Sequence, residues 1–157
     1  MKLDNFVLDV DGVLTDGSFY YSGEGKLYKK FGPHDADGLK MITELIEISF
    51  ISADERGFAI SNKRVSDMGF ELELVGEEDR YQYLASKFNI ETLIFMGDGY
   101  FDKEMIDKAA IGIAPLNALE EVKKVANFVT SKSGGDGAVF EACVYIKKLI
   151  DENRENK

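Results

Sequence analysis

Apolar positions along this chain fall into short continuous runs, each followed by a stretch with helical spacing. Residues 6–8, 48–51, 72–75, 92–96, 111–114 and 127–129 read as strands, too short and too evenly apolar for amphipathic helices. Between them, Leu39, Ile42, Leu45 and Ile46 share one helix face, Phe58, Ile60, Val65 and Met68 are the apolar positions of a second helix, and Tyr81, Leu84 and Phe88 point inward from a third. Shorter helices are expected at 103–109 and 117–125, and a last one carries Val139, Cys143, Ile146 and Ile150. Residues 18–31, SFYYSGEGKLYKKF, break the alternation with two aromatic-rich arms around a glycine-containing turn, the pattern of a β-hairpin beside the first strand end. The alternation predicts an α/β fold with a doubly wound, mainly parallel sheet in one domain over residues 1–150. Residues 151–157 are expected to form a flexible tail.

The polar residues that end these strands carry the chemistry. The first strand stops at Asp9, followed by Asp11, Gly12, Thr15, Asp16 and Gly17; the second stops at Ser52; the fourth stops at Gly97, Asp98, Gly99 and then Asp102. Open parallel sheets bind ligands at the carboxyl ends of their strands, so three such endings mark one edge as the site. Gly12 permits a turn that brings Asp9 and Asp11 to one ligand. One carboxylate can then attack while the other moves a proton, and acids held together also bind a divalent cation. The same residues also read as an acidic strand-to-loop junction with a solvated turn.

Other features are less specific. Arg80 opens a helix against the macrodipole preference, which points to a site role or to a neighbouring acid. His34 is the only histidine, so a catalytic triad or a histidine-rich metal site has no second member. Gly135 lies in SKSGGDG, a glycine-rich stretch before the last helix that suits either phosphate cradling or a plain connection.

The formal net charge of -10 disfavours nucleic acid as a partner. It is awkward for an anionic substrate unless a bound cation inverts the local field. The lone Cys143 cannot form an internal disulfide, no signal peptide opens the chain, and no apolar run reaches membrane-spanning length. The expected compartment is the cytoplasm, with no membrane partner.

Taken together, DVDGVLT at 9–15, Ser52 after an apolar strand, Arg80, and GDGYFD at 97–102 resemble the haloacid dehalogenase superfamily of aspartate-nucleophile phosphatases. Only 42 residues separate Asp9 from Ser52, which leaves room for a small hairpin flap but no large cap domain. Within the superfamily the chain is similar to the capless group of 3-deoxy-D-manno-octulosonate 8-phosphate phosphatases and to the phosphatase domains of some acylneuraminate cytidylyltransferases. LTDG with a YY hairpin, Phe31 to Asp35, and SGGDGAVFE carry that similarity.

The resemblance implies hydrolysis of a small phosphorylated sugar or 2-keto-3-deoxy sugar acid, of octulosonate or nonulosonate type, through an aspartyl-phosphate. It makes Asp9 the nucleophile and Asp11 the acid and base. Mg²⁺ would be held by Asp9, the Asp11 carbonyl and Asp98, supported by Asp102, with Thr15 and Gly12 shaping the turn. Ser52 and Arg80 would contact the phosphoryl group, and His34, Asp35, Ala53 and Gly135 would approach the substrate. A homotetramer is also implied. Several positions depart from the family pattern: Arg80 where lysine is general, His34 and Phe140 where arginines are common, and Ser52-Ala53-Asp54 where sister enzymes run S-G-R. Two alternatives stand beside this reading, a catalytically drifted partner of a sugar-activating enzyme and a phosphoacceptor signalling domain.

Overall fold

Strand β1 (Asn5–Asp9) is the axis of the structure, a computed structural model that describes residues 1–155. It is followed by a hairpin of β2 (Thr15–Ser22) and β3 (Gly25–Phe31), then α1 (His34–Ile42), β4 (Glu47–Ser52), α2 (Phe58–Asp67) and β5 (Leu72–Leu74). The second half holds α3 (Arg80–Lys87), β6 (Leu93–Met96), a 3₁₀ turn (Tyr100–Asp102), α4 (Lys103–Lys108), β7 (Ile111–Ala114), α5 (Glu120–Lys123), β8 (Phe128–Val129) and α6 (Ala138–Glu155).

The main sheet has the order β5-β4-β1-β6-β7-β8, and every pairing in it is parallel. Strand β1 pairs with β4 on one side, Asp9 opposite Ile51, and with β6 on the other, Leu8 opposite Met96. The chain builds outward from β1 through β4 to β5, then returns past β1 to begin β6. Connections therefore reverse direction between β1 and β6, and the carboxyl ends of these two strands flank the crevice where doubly wound sheets bind ligands.

Alternation along the strands sorts the core into two layers. Phe6 and Leu8 face the cluster that includes Leu39, Ile42, Val139 and Ile146, whereas Val7 faces the cluster of Leu84, Met105, Ile106 and Val122. Strands buried on both faces are what a parallel sheet covered by helices requires. Each fully buried large side chain here contributes about 1.5–3 kcal/mol by leaving water. Asp9, next in the alternation after Val7, thus inherits a rigid position at the sheet edge.

Three element boundaries differ from the sequence expectation. Helix α1 ends at Ile42, and the chain leaves it through a turn in which the Leu45 and Ile46 N–H groups both donate to the Ile42 carbonyl. The helix expected over 117–125 shortens to Glu120–Lys123, because Leu119 is extended and its N–H donates to the Asp98 carbonyl. The tail expected from Asp151 continues α6 to Glu155, aided by i,i+4 pairs Lys147–Asp151 and Lys148–Glu152 and by the amino terminus donating to Asn153 Oδ1. The remainder of that expected tail, 156–157, lies outside the described residues. No helix among the described residues is long and apolar enough to cross a membrane.

Candidate active site

The turn after β1 is fixed before any ligand is considered. The Val10 carbonyl accepts from the N–H groups of Val13, Leu14 and Thr15, and the buried Thr15 Oγ1 accepts from Gly12 N (3.0 Å) and Gly17 N (3.1 Å). Gly12 takes φ +80°, a left-handed conformation costly for side-chain-bearing residues. Thr15 therefore shapes the turn by hydrogen bonding rather than by facing the crevice.

Around this turn the structure brings together residues from the ends of β1, β4 and β6 and from the start of α3. Asp9 is 7% exposed, and its Oδ1 lies 3.5 Å from Arg80 Nη1 at the start of α3. The same Nη1 donates a short bond to Asp102 Oδ1. Asp102 Oδ2 accepts from Asp98 N (3.1 Å) and Gly99 N (3.0 Å), so this buried carboxylate holds both the loop after β6 and the guanidinium. Both readings of Arg80 thus meet: it has neighbouring acids, and it stands against Asp9.

Carboxylate oxygens of Asp9, Asp98 and Asp102 all lie within 4.8 Å of one another, an arrangement able to hold a metal ion. Burial, with the Asp102 charge next, raises the Asp9 carboxyl well above its ordinary range against the pull of Arg80. Burial and Asp102 push Asp98 up to about 7. Three acids around one guanidinium leave excess negative charge in a largely buried site, the condition that a divalent cation relieves. The donor set, carboxylates beside a solvent-reached cavity, suits a hard cation.

That cavity measures about 410 Å³. Asp9, Asp11, Arg80 and Asp98 lie along its lining; Ala53 and Asp54 approach it from the β4 end, and Phe19 and Lys26 from the hairpin. Ser52, fully buried, accepts from Asp54 N through its Oγ (3.1 Å), which leaves its O–H as a donor. The hairpin therefore contributes to the cavity wall.

Three expected substrate contacts are not brought there. His34 lines a separate groove with Lys132 and Phe140 beside α6. Asp35 is buried and accepts from Phe140 N at 3.2 Å, at the start of α6. Gly135 is absorbed in backbone packing: a methyl added there would lie 2.8 Å from Asp16 N, and one on Gly134 would lie 2.2 Å from the Gly12 carbonyl oxygen. The glycine-rich loop backs the Asp9 turn from behind, and this close packing accounts for Gly134 and Gly135.

Two further residues escape the sequence pattern. Lys29 Nζ lies 2.8 Å from Asp11 Oδ1 and 2.7 Å from Asp54 Oδ2. Its only signal is period-two placement on the same strand face as Phe31, which packs on the core. Asn117 bridges the site turn to the glycine loop, donating to the Gly12 carbonyl (2.9 Å) and accepting from Gly134 N (2.7 Å). An isolated asparagine in a loop carries no such signal.

The comparisons with known proteins agree with this architecture. Residues 79–142 match the family model of haloacid dehalogenase-like hydrolases. The 3-deoxy-D-manno-octulosonate 8-phosphate phosphatase KdsC of Haemophilus influenzae is 30% identical over 149 residues, 89% of this chain and 82% of that protein. The Escherichia coli K12 protein of the same name is 30% identical over 143 residues, 87% of this chain and 75% of its own length. The corresponding phosphatase of Moraxella catarrhalis, solved with magnesium ion, phosphate ion and a KDO molecule, superposes with a TM-score of 0.83 at 28% identity, covering 93% of this chain and 86% of that one. A cobalt-bound structure of the H. influenzae phosphatase gives 0.81 at 28% identity, covering 96% and 90%. The chain belongs to the haloacid dehalogenase-like hydrolases and is a phosphoric monoester hydrolase of the 3-deoxy-D-manno-octulosonate 8-phosphate phosphatase type.

Proposed function

We propose that the protein is a Mg²⁺-dependent phosphatase of a small phosphorylated sugar acid of the 2-keto-3-deoxy octulosonate or nonulosonate type, acting through an aspartyl-phosphate on Asp9. The observation that carries this reading is the convergence of buried Asp9 and Arg80 with half-buried Asp98 at the β1/β6 switch point, with Asp11 on the same cavity wall. Asp9 and Asp98, with the Asp11 carbonyl, would hold Mg²⁺, which when bound offsets negative charge on the phosphoryl oxygens.

The remaining steps belong to the chain's own residues. An Asp9 carboxylate oxygen attacks phosphorus as the bond to the sugar oxygen breaks, and Asp11 gives that oxygen its proton. Asp11, now a carboxylate, takes a proton from water, whose oxygen attacks phosphorus and frees Asp9 with release of phosphate. Arg80 stabilises charge on the transferring group from its position beside Asp9, and the Ser52 O–H is placed at the same sheet edge. The relatives' substrate supports an eight-carbon sugar acid. His34 and Phe140, where arginines are common in the family, favour testing nine-carbon acids and neutral sugars beside it. We also place the protein in the cytoplasm, and, on the family resemblance, read it as a homotetramer.

Phosphate release from phosphorylated sugars and 2-keto-3-deoxy sugar acids, with Mg²⁺ and with chelator, tests the reading. Metal-dependent turnover concentrated on eight- or nine-carbon keto acids is expected. Turnover of other sugar phosphates alone would overturn the substrate, and no hydrolysis of any phosphoester would return the chain to a partner role.

A further inference from the structure

Lys29 is a fully buried ammonium brought to the site by a surface hairpin. Its side chain is 0% exposed. An ammonium has three N–H donors and no acceptor. Here it donates hydrogen bonds to Asp11 Oδ2 (3.1 Å) and Ser61 Oγ (2.8 Å) and forms ion pairs with Asp11 Oδ1 (2.8 Å) and Asp54 Oδ2 (2.7 Å). A charge so far from water persists only with such partners, and removing one of them is costly. Lys29 is therefore held in place, not resting there.

Asp54 extends the network back to the hairpin. Its Oδ1 lies 2.7 Å from Lys26 Nζ, and Lys26 in turn sits 4.1 Å from the centroid of the Phe19 ring on β2. Burial works against the Asp54 anion, but the Lys26 and Lys29 ammonium groups and the hydrogen bond from Gly57 N hold its carboxyl down at about 2. The turn into α2 presses on the same group: a methyl on Gly57 would lie 2.2 Å from Asp54 Oδ2 and 2.8 Å from Lys29 Cε. One carboxylate at the end of β4 thus clamps two lysines of β3.

We propose that Lys29 is the positioning residue for the Asp11 carboxylate, and that Asp54, by clamping Lys29 and Lys26, makes seating of the hairpin and assembly of the acid–base group a single event. The inference rests on the reading of Asp11 as acid and base. Lys29 stands against Asp11 and Asp54, whereas the cation beside Asp9 is Arg80. Loss of Lys29 should therefore impair proton transfer more than phosphate binding. The signature is a dependence on the leaving group.

Lys29→Met keeps the apolar stem and removes the ammonium. With a sugar phosphate, whose leaving oxygen needs a proton, kcat is expected to fall on the order of 100-fold, the usual worth of general acid–base help, with KM nearly unchanged. With p-nitrophenyl phosphate, whose leaving group departs unprotonated, the first-turnover burst of nitrophenolate keeps its rate and only the later steady state slows. Asp54→Asn reproduces this selectivity at smaller amplitude, and Lys29→Arg restores part of the sugar-phosphate rate. If Lys29→Met does not fold, by thermal melting, Asp54→Asn and Lys29→Arg carry the same comparison. Equal losses of first-turnover rate on both substrates, a change in KM alone, or no loss overturns the proposal and leaves the phosphatase reading intact. Undiminished sugar-phosphate turnover in Asp11→Asn would instead defeat the reading beneath it.

Discussion

Gly12 and Asp98 meet across the switch point so closely that a methyl on Gly12 would lie 1.9 Å from Asp98 Oδ2. The contact joins the end of β1 to the end of β6 and sets where the Asp98 carboxylate stands. Gly12→Ala adds that clash to a φ of +80°. A loss of about 1–3 kcal/mol is expected from backbone strain alone, read as a lowered Tm. Displacement of Asp98 should also weaken Mg²⁺ binding in calorimetric titration; unchanged Tm and affinity would contradict this view of the turn.

Asn117 ties the same turn to the loop before α6. Asn117→Ala leaves the Gly12 carbonyl and the Gly134 N–H without this partner, at a cost of about 1–3 kcal/mol where they are shielded from water. Denaturant unfolding should show a lower midpoint with the same slope, and turnover should fall less than for any change at Asp9. A fully stable variant would mean that water replaces the amide without loss.

These two residues also mark how far the sequence reaches. The strands, their order of polar endings and the absence of a large cap follow from apolar runs and spacing, because burial on both faces dictates composition along β1, β4 and β6. Asp9, Asp98, Asp102 and Arg80 are legible as strand-end and helix-start groups. Lys29 and Asn117 are not, since their roles arise from contacts 18 and 105 residues away that no local pattern encodes. Gly135 marks a different limit: the sequence left its loop open between an anion cradle and a plain connection, and it is the packing against residues 12–16 that shows what Gly134 and Gly135 meet.

Asp35 makes folding stability depend on pH. Burial pushes its carboxyl up to about 6 from 3.8, against the hydrogen bond from Phe140 N. The folded state therefore holds this proton more tightly than the unfolded state. Its favourable contribution is complete below pH ~4 and is lost as pH rises through about 6. Each tenfold difference in proton affinity between the two states is worth about 1.4 kcal/mol. Asp35→Asn should accordingly stabilise the protein at pH 7.5 by up to about 3 kcal/mol, and by little at pH 4. Parallel stability curves for the two proteins across that range would contradict the assignment.

Removing the Asp9 charge should relieve repulsion from Asp98 and Asp102, since both raise its carboxyl pKa. Asp9→Asn is thus expected to melt at or above the wild-type temperature while turnover falls by at least about 10³-fold, as for loss of a covalent nucleophile. Retained turnover would remove Asp9 from the chemistry.

The most direct measurement is to quench the enzyme with acid during turnover of its best phosphorylated sugar, trap any acyl phosphate with borohydride, and map the peptides by mass. Reduction of an aspartyl-phosphate yields homoserine, and it is expected at position 9 alone, in the presence of Mg²⁺ and substrate. Homoserine at another aspartate, or rapid turnover with no modified peptide, would contradict covalent catalysis by Asp9.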